Sequence, residues 1–422
     1  MKVFKFGGAS VKDAEAVRNV AAILKGYPTE NLVVVISAMG KTTNELERLT
    51  HSFFSGQDNV YEIFKQIKEF HLGIATELFS DESHSLFDKL NDTFVELEWA
   101  IEGKPEHTYN HEYDQIVSMG ELLSTQIVSA YLNSVGIENT WIDARGIIVS
   151  DDNFRDAQVD FAQTQERVKI EILPLLNGNT KVITQGFIGA TSENFTTTLG
   201  REGSDYTAAI LAYCVDAESV SIWKDVPGVL NADPKWFSDT LLIPELTYQD
   251  AIELTYYGAT VIHPKTIKPI QNKNIPLFVR SFIDYSNEGT VIKDSQKKLS
   301  IPSFIFKREQ ILISLQPKDF SFIAEENLSS IFQLFHKLRI KINVMQLSAI
   351  NFSICVDYNK DIIIPALEEL KVNYKVLYNE NVELCTIRYY NQETIERVTA
   401  HKQILLEQKS RYTVQLVMKE NA

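Results

Sequence analysis

A lysine, two glycines and a serine stand near the start of the chain, between an apolar run and a helical pattern. The run Lys2–Phe6 has the length and composition of a short strand, and Gly7, Gly8 and Ser10 follow it. Glycines between a strand and a helix let backbone N–H groups approach phosphate oxygens, and the helix N-terminus favours negative charge. Lys5, at the end of the strand, would direct its ammonium group at the same phosphates. An ordinary turn explains the glycines equally well, because their spacing matches neither the P-loop nor the dinucleotide fingerprint.

A second polar segment follows the β-branched apolar run Leu32–Ser37, which has the composition of a strand buried on both faces. The segment Lys41-Thr42-Thr43-Asn44 comes directly after Gly40. Ligands of open α/β sheets bind beyond the carboxyl ends of the strands, so these hydroxyl, amide and ammonium groups are placed for binding. The alternative is a polar loop that caps the next helix.

A third segment contains an arginine between glycines, followed by a serine and an aspartate. The strand-like run that ends at Gln185 leads through Gly186 and a polar loop to Gly200-Arg201-Glu202-Gly203-Ser204-Asp205. Arg201 has the planar fork that suits a carboxylate. A helix is predicted to begin near Ser204, and helix capping is the alternative role for Asp205.

Two further features complete the set of candidate residues. The stretch Ile222–Lys235 begins as a strand and continues through Pro-Gly and Asp-Pro turns, a composition that suits the edge of a nucleotide site or a plain turn. Glu121 lies in a helical stretch after Met119-Gly120. Glutamates on helices are usually solvated, so Glu121 counts as a candidate only in the context of the other segments.

The elements that position these residues alternate between strand and helix. Strand, helix and strand in the first 37 residues form a βαβ unit. Residues 44–135 are predicted to be mostly helical, and the alternation then returns. Further strands are predicted at Asn139–Asp143, Ile147–Val149, Lys181–Thr184 and Ser219–Trp223, with a helix at Tyr206–Val215. This pattern indicates an α/β three-layer sandwich with a mainly parallel sheet.

The last third of the chain follows a different pattern of shorter units. From Ile311 to Leu377, strands and helices follow in the order βαββαβ, and a smaller group of elements follows from Val382 to Val417. This order predicts α+β ferredoxin-like modules. We place the boundary near residues 296–303, which gives one domain at 1–298, with a lid-like helical segment at 44–135, and a second at 299–422. Within the second domain, the first unit covers about 310–380, and a shortened second unit combines 303–308 with 382–420.

Composition excludes several classes of protein. The 422 residues carry a formal net charge of −15, with 44% hydrophobic and 23% charged residues. A globular protein is therefore expected, without the basic face needed for nucleic acid or for anionic lipid. The three cysteines lie far apart and form no CxxC pair, which fits reduced thiols. No apolar run is long enough to span a membrane, and structure starts at Lys2 without a signal segment, so we expect a cytoplasmic protein.

Taken in order, the segments resemble the amino acid kinase superfamily, and within it the aspartate kinases. The resemblance rests on Lys-Phe-Gly-Gly-x-Ser-Val at the start, Gly-Arg-x-Gly-Ser-Asp-x-Thr-Ala from Gly200, and Asp-Val-x-Gly-Val-x-x-Ala-Asp-Pro from Asp225. The run Tyr257–Pro264 is also similar to a stretch near that family's nucleotide site. The C-terminal pattern resembles the paired ACT domains that bind small molecules in aspartate kinases.

This resemblance implies ATP as the phosphoryl donor and L-aspartate as the acceptor, with Mg²⁺ carried mainly on the ATP phosphates and no dedicated metal cage. Lys5 would contact the transferred phosphoryl group, and Asp205 would orient both that lysine and the substrate. Other residues would hold aspartate: Thr43, Glu121, Arg201 and Ser204. A larger set, together with Lys5, would bind the nucleotide: Gly7, Gly8, Ser10, Lys224, Asp225, Leu230, Lys235, Thr260 and Val261.

Several residues depart from the common family pattern. Glu202 stands where glycine is usual, Lys224 replaces threonine, Leu230 an often aromatic residue and Thr260 an often basic one. These differences concern the nucleotide contacts more than the phosphoryl chemistry. Two alternatives stay open. The chain could be another member of the superfamily, such as a glutamate or acetylglutamate kinase, or a catalytically inactive ACT protein that senses a ligand.

The resemblance also implies regulation and assembly through the C-terminal region. An amino acid, lysine or threonine, would bind there at a subunit interface and inhibit the enzyme, and the chain would form a homo-oligomer. The polar loop Gln316-Pro317-Lys318-Asp319 after the first strand of the module supports a ligand site. A dimerisation module without a ligand is the alternative, because the second unit is short.

Overall fold

The structure, a computed structural model, describes residues 1–422 except 82, 179, 260, 261, 297–300, 320 and 422. The chain forms two compact units. The first unit comprises residues 1–229, 242–252 and 261–297, and the second comprises 230–241, 253–260 and 298–422. Two short stretches that precede residue 298 therefore belong to the second unit, which a single boundary in the sequence could not describe.

The first unit is built on an eight-stranded sheet in the order β3-β4-β2-β1-β7-β9-β10-β8. Neighbouring strands are parallel except for the antiparallel pair β9 and β10. One of the central strands, Leu32–Ile36, is entirely apolar, and its five residues are all buried. The strands are β1 Lys2–Phe6, β2 Leu32–Ile36, β3 Asn139–Ile142, β4 Lys181–Gln185, β7 Ser219–Lys224, β8 Glu245–Thr247, β9 Leu277–Ser281 and β10 Thr290–Lys293. A separate antiparallel pair consists of β5 Ile188–Ala190 and β6 Thr196–Thr198.

Helices surround this sheet, and their apolar faces are buried. The first helix begins at the capping residue Asp13, whose carboxylate accepts a hydrogen bond from the Ala16 N–H at 2.8 Å. The helices that precede residue 298 in the chain are α1 Ala14–Lys25, α2 Thr42–Phe54, α3 Val60–Leu78, α4 Ser85–Ala100, α5 Tyr109–Val117, α6 Met119–Ser134, α7 Phe161–Glu171, α8 Leu173–Asn177, α9 Gly203–Cys214, α10 Tyr248–Tyr257 and α11 Pro264–Asn272. Single 3₁₀ turns occur at Gly8–Val11 and Ala144–Gly146.

The second unit is built on a six-stranded antiparallel sheet in the order β12-β13-β11-β14-β16-β15. Two strands of 15 residues, β11 Ser303–Pro317 and β14 Tyr374–Arg388, pair along its centre. The remaining elements are α12 Glu325–Lys337, β12 Ile342–Leu347, β13 Phe352–Asp357, α13 Lys360–Asn373, α14 Gln392–Thr399, β15 Lys402–Lys409 and β16 Thr413–Glu420. The two predicted modules therefore both use β11 and β14, and their strands belong to one continuous sheet.

Most of the predicted elements are present in the structure. The α/β fold with a mainly parallel sheet is confirmed, and the described residues of the predicted helical segment form five helices, α2 to α6. The prediction of a strand at Ile147–Val149 was wrong: Ile147 has helical backbone angles as the C-terminal cap of the 3₁₀ turn, and Val149 forms only an isolated bridge with Ala190. The strand β15 was not predicted, since Lys402–Lys409 is rich in charged and polar residues and largely exposed.

Candidate functional site

The carboxyl ends of the parallel strands β1, β2 and β7 border a cavity of about 510 Å³ in the first unit. Ligands of parallel sheets bind at this edge, because loops and helix N-termini meet there. Seven of the predicted site residues line this cavity: Lys5, Thr43, Glu121, Arg201, Ser204, Asp205 and Lys224. Residues separated by more than 200 positions in the sequence are therefore brought together at one edge of the sheet.

Two ammonium groups and one buried carboxylate form the charged centre of the cavity. Lys5 Nζ lies 2.7 Å from Asp205 Oδ1, and Lys224 Nζ lies 3.5 Å from Asp205 Oδ2. Burial alone would raise the pKa of Asp205, but the two ammonium groups hold the pKa of that carboxyl below its ordinary value. The centre therefore carries a net positive charge that is held in place by an ionised aspartate. Such a cluster suits the oxygens of a phosphate.

The glycine turn lies beside the second polar segment because the two backbones touch. The Gly40 N–H donates to the Gly8 carbonyl oxygen at 3.0 Å. A β-carbon on Gly8 would lie 2.8 Å from the carbonyl oxygens of Ala38 and Gly40, which is closer than real contacts allow. Glycine is thus required here for the close approach of two loops.

Glu121 is buried at the start of α6, with 2% of its surface exposed. Its Oε1 accepts a hydrogen bond from the Ala38 N–H at 3.3 Å, and its buried Oε2 has no partner in the described part of the chain. Burial raises the pKa of Glu121 to about 8, although the Ala38 N–H and the Lys5 ammonium act in the opposite direction. The helix can approach the segment after β2 so closely because Gly120 has no side chain to meet Ala38 and Thr42.

The helix α9 brings Ser204 and Asp205 to the cavity in its first turn. Glu202 precedes it with a left-handed backbone (φ 55°), and its carboxylate accepts a hydrogen bond from the His263 N–H at 2.9 Å. The carboxylate of Glu202, which stands where glycine is usual in the family, is therefore bound at the start of α11. The neighbouring Arg201 is exposed at the mouth of the cavity, and the described residues place no carboxylate against its guanidinium.

The nucleotide residues predicted by resemblance are only partly assembled at this cavity. Lys224 lines it, and Gly8 shapes the adjoining turn, whereas Ser10 is 1% exposed and its hydroxyl faces the interior without a partner in the described part of the chain. Asp225 is exposed directly after β7. Leu230 and Lys235 belong to the second unit, as half-buried and exposed residues respectively. Thr260 and Val261 lie outside the described residues.

Four lining residues carry chemistry that the sequence analysis did not single out: Glu47, Tyr113, Arg155 and Thr198. The Tyr113 hydroxyl donates to Glu47 Oε1 at 2.6 Å, which joins α5 to α2. One signal was available, since Glu47 lies one helical turn after Thr43 and so shares its face. Arg155 and Thr198 gave no such signal, because their positions depend on how the loop and the β5–β6 pair fold back.

A larger cavity of about 710 Å³ lies between α4, α6 and β3. Its lining includes Lys89, Asp92 and Glu96, which extend from one helix face, and Trp141 of the edge strand. It has neither a glycine turn nor a group of convergent strand ends. Size alone therefore does not make it the candidate site, and the smaller cavity combines all the features expected of one.

The described residues contain no group of three or more His, Cys, Asp or Glu side chains placed to hold a metal ion. In that same part of the chain, no helix is long and apolar enough to cross a membrane. Asp205 is already paired with two lysines, so its carboxylate is not available for a cation without disrupting the charged centre.

Comparison with known proteins identifies the family. The model of the amino acid kinase family matches residues 1–281. The chain is 34% identical over 294 residues to the chloroplastic bifunctional aspartokinase/homoserine dehydrogenase 1 of Arabidopsis thaliana, covering 69% of this chain and 32% of the relative. It is 32% identical over 365 residues to the lysine-sensitive aspartokinase 3 of Escherichia coli K12, covering 84% of this chain and 78% of the relative. The chain spans between about a third and two thirds of the length of the plant aspartokinases that it matches.

Solved structures agree with these similarities. The E. coli aspartokinase III structure in complex with lysine and aspartate has a TM-score of 0.84 and 28% identity, covering 99% of this chain and 95% of that one. The structure of the same enzyme with aspartate and ADP has a TM-score of 0.81 and 28% identity, covering 99% of this chain and 96% of that one. The chain therefore belongs to the amino acid kinase family, among the aspartokinases.

Proposed function

We propose that this chain transfers the γ-phosphoryl group of ATP to the side-chain carboxylate of L-aspartate. The product would be 4-phospho-L-aspartate, on the route to lysine, threonine and methionine. The observation that carries this proposal is the cavity at the strand ends, where the Lys5–Asp205–Lys224 cluster lies together with Arg201, against which the described residues place no carboxylate. The two lysines of the cluster are suited to phosphate oxygens, and the arginine is suited to the carboxylate of an acceptor.

The chemical step needs no general base. An oxygen of the ionised aspartate carboxylate attacks the γ-phosphorus, the bond from phosphorus to the β–γ bridging oxygen breaks, and ADP leaves with the electron pair. Because the acceptor is already deprotonated at neutral pH, no proton has to move. Catalysis then depends on positioning and on stabilising charge that shifts toward the leaving oxygen, which is the part that we assign to Lys5.

The remaining roles follow from the positions of the side chains. Asp205 orients Lys5 through their ion pair, and Arg201 pairs with the α-carboxylate of aspartate. Glu121, Thr43 and Ser204 line the acceptor side, where a buried carboxyl group can meet the aspartate ammonium. The nucleotide lies against the turn at Gly7, Gly8 and Ser10 and against the end of β7 at Lys224 and Asp225. We also keep the further nucleotide residues implied by resemblance as proposals: Leu230, Lys235, Thr260 and Val261.

Mg²⁺ enters this scheme on the nucleotide. The described residues provide no carboxylate cluster around the cavity that is free of other partners, so the ATP phosphates would supply most of the ligands. When bound, the ion neutralises part of the phosphate charge. The protein contributes the lysines and the glycine turn.

A coupled assay of ADP release tests the acceptor. We expect turnover with L-aspartate and none above background with glutamate, N-acetylglutamate or UMP. Turnover with glutamate or N-acetylglutamate in place of aspartate would assign the chain to a different activity in the same family. ATP binding without ADP formation with any acceptor would support the ligand-sensing alternative, in which the kinase fold is only a scaffold.

We also propose that residues 1–298 form the kinase domain and that 299–422 form an ACT-like regulatory region. Its first unit covers about 310–380, and its second combines 303–308 with 382–420. The order of elements in the six-stranded sheet supports this division, since β11 and β14 each contribute to both units. Lysine or threonine would bind at a homo-oligomer interface of this region, as the E. coli relative was solved with lysine. A rate unchanged by titration of both amino acids would reject this form of feedback.

The cellular location is part of the same proposal. The three cysteines are free and buried, so they behave as reduced interior thiols. We place the enzyme in the cytosol, where its substrates and a reducing environment occur together. Fractionation of the producing cell would test this assignment.

A further inference from the structure

Arg155 has a backbone conformation that arginine seldom adopts. Its φ angle is 72°, in the left-handed region that favours glycine. The Arg155 N–H donates to Asp114 Oδ2 at 3.0 Å. The same carboxylate accepts the Thr198 N–H at 2.8 Å and the Thr198 hydroxyl at 2.7 Å. Buried Asp114 on α5 therefore holds the Arg155 loop against β6, and this fixed backbone determines where the arginine side chain starts.

The side chain is directed by the residue next to Asp114. The Arg155 guanidinium lies 4.3 Å from the centre of the Tyr113 ring, within the range of a cation–π contact. The Tyr113 hydroxyl is in turn fixed by its 2.6 Å hydrogen bond to Glu47. Two consecutive residues of one helix thus set the backbone and the guanidinium of Arg155. The result is a cation held on the wall of the candidate site.

Among the residues that the structure describes, the Arg155 guanidinium forms no ion pair that would explain its position. In the described part of the chain, no carboxylate lies within ion-pair distance of it, whereas Lys5 and Lys224 both face Asp205. A residue that needs a costly backbone and has no charged protein partner is a candidate for contact with a ligand. Its donors remain available to an anion that enters the cavity.

The Arg155 loop also lies beside the loop that carries Arg201. A β-carbon on Gly200 would lie 3.2 Å from the Arg155 carbonyl oxygen and 2.6 Å from the Asp156 carboxylate. Asp156 is tied further by an ion pair to Lys265. Two arginines are therefore carried on adjacent loops, and both line the same cavity.

We propose that Arg155 is a second binding residue for the α-carboxylate of the acceptor amino acid and that it shares this group with Arg201. The inference depends on the proposed function, because the reacting side-chain carboxylate must lie at the phosphate beside Lys5. The α-carboxylate is then the anion left for the arginine loops. One carboxylate offers about four acceptor positions, so it can receive donors from two guanidinium groups.

The test uses Arg155→Gly, because glycine suits the left-handed backbone and the loop should keep its shape. We expect the KM for aspartate to rise roughly 10- to 100-fold, the loss typical of a hydrogen bond to a charged group. The kcat and the KM for ATP should stay within about twofold of the wild-type values, since the phosphate end of the cavity is untouched. Arg155→Lys should recover only part of the loss, because an ammonium group cannot bind in a bidentate way.

Asn194→Gly is the matched control. Asn194 is also left-handed (φ 66°) but lies on the exposed turn between β5 and β6, so its replacement should leave both KM values unchanged. The α-amide of aspartate provides the second arm. The wild-type enzyme should discriminate strongly against the amide, and Arg155→Gly should discriminate less, because it has lost a contact that only the carboxylate makes.

Three results would overturn the assignment. A lower kcat with unchanged KM for aspartate would place Arg155 on the transferred phosphoryl group instead. Unchanged kcat and KM values in Arg155→Gly would mean that the guanidinium is only a surface cation. Equal discrimination against the amide by the wild-type protein and by Arg155→Gly would exclude a contact between Arg155 and the α-carboxylate. If the wild-type protein does not turn over aspartate, the proposed function fails separately. Calorimetric titration of aspartate into the wild-type protein and into Arg155→Gly then still decides whether Arg155 binds it.

Discussion

At the scale of single residues, the candidate site depends on charges that hold one another in place. Lys5 is only 11% exposed in its side chain, and Asp205 is 4% exposed. An isolated charge at this depth would be costly, but the pair is within hydrogen-bonding distance and Lys224 contributes a second cation. The lysine is therefore fixed before any nucleotide binds. If this preorganised cation stabilises the transition state, its removal should lower kcat by a large factor.

Replacing Lys5 with alanine should lower kcat by about 10²- to 10³-fold, the usual loss when one well-placed electrostatic donor is removed. The fold should survive, because Asp205 retains Lys224 as a partner. Steady-state kinetics and circular dichroism measure the two effects. Lys25→Ala, at an exposed position in the last turn of α1, is the control and should be as active as the wild-type protein. A Lys5→Ala enzyme with most of its activity would refute the role of Lys5.

The raised pKa of Glu121 predicts that the protein releases a proton when it binds aspartate. Since burial raises its pKa to about 8, the side chain is mostly neutral at pH 7 in the free protein. The ammonium group of aspartate would favour the ionised form, so binding at pH 7 should release up to about one proton. Calorimetry in buffers with different ionisation enthalpies counts the protons. Glu121→Gln should bind more weakly and release none, and an unchanged proton count in that variant would assign the release to another group.

At the scale of elements, the position of α9 depends on a glycine in the preceding strand connection. A β-carbon on Gly186 would lie 2.5 Å from Ser204 Cβ and 2.7 Å from Ser204 Cα. Because one of these is a backbone atom, the clash cannot be relieved by rotating a side chain. The first turn of α9 carries both Ser204 and Asp205, so the spacing between this glycine and the helix sets the geometry of the site.

Gly186→Ala should therefore displace the start of α9. We expect a destabilisation of about 1–3 kcal/mol, typical of overpacking, and a loss of activity of at least about tenfold. Thermal unfolding and kcat/KM for aspartate measure these effects. Gly73→Ala is the matched control: a β-carbon there meets nothing within 4 Å, and alanine favours the helix α3. Normal activity in Gly186→Ala would show that α9 can move without affecting the site.

At the scale of the whole molecule, two buried carboxyl groups of the first unit couple its stability to pH. Burial raises the pKa of Asp114 to about 6 and that of Glu121 to about 8. The folded protein keeps these protons at a pH where the unfolded chain has lost them. The stabilisation from the neutral form of Glu121 is therefore complete below its unfolded pKa of about 4.5 and is lost as the pH rises toward about 8.

The free energy of unfolding of the wild-type protein, relative to that of Glu121→Gln, should decrease as the pH rises from 5 to 8. The slope should approach about 1.4 kcal/mol per pH unit, because the folded state binds one proton more than the unfolded state in this range. Urea unfolding of both proteins at several pH values in this range measures the difference. Parallel curves for the two proteins would mean that Glu121 does not retain its proton in the folded state.

The sequence by itself determined the order of the elements and the identity of the chemical groups. The β-branched run at β2, the glycines after β1 and the capping aspartate of α1 act through local geometry, so each was predictable from its neighbours. The central residues of the candidate site were predictable for a related reason. Parallel strands place their carboxyl ends at one edge of the sheet, so Lys5 of β1 and Lys224 of β7 were expected to lie at the same edge. Arg201 and Asp205 were predicted from the family resemblance, since they follow the separate β5–β6 pair.

Only the tertiary structure decided the features that depend on distant contacts. The burial of Glu121 and the approach of the Arg155 loop to Tyr113 arise from packing between segments far apart in the chain. In the second unit, β11 and β14 join two predicted modules through strands of 15 residues, which no local pattern distinguishes from two shorter strands. A side chain's type is local, whereas its solvation, its pKa and its partners belong to the packed fold, and these properties select the residues that bind.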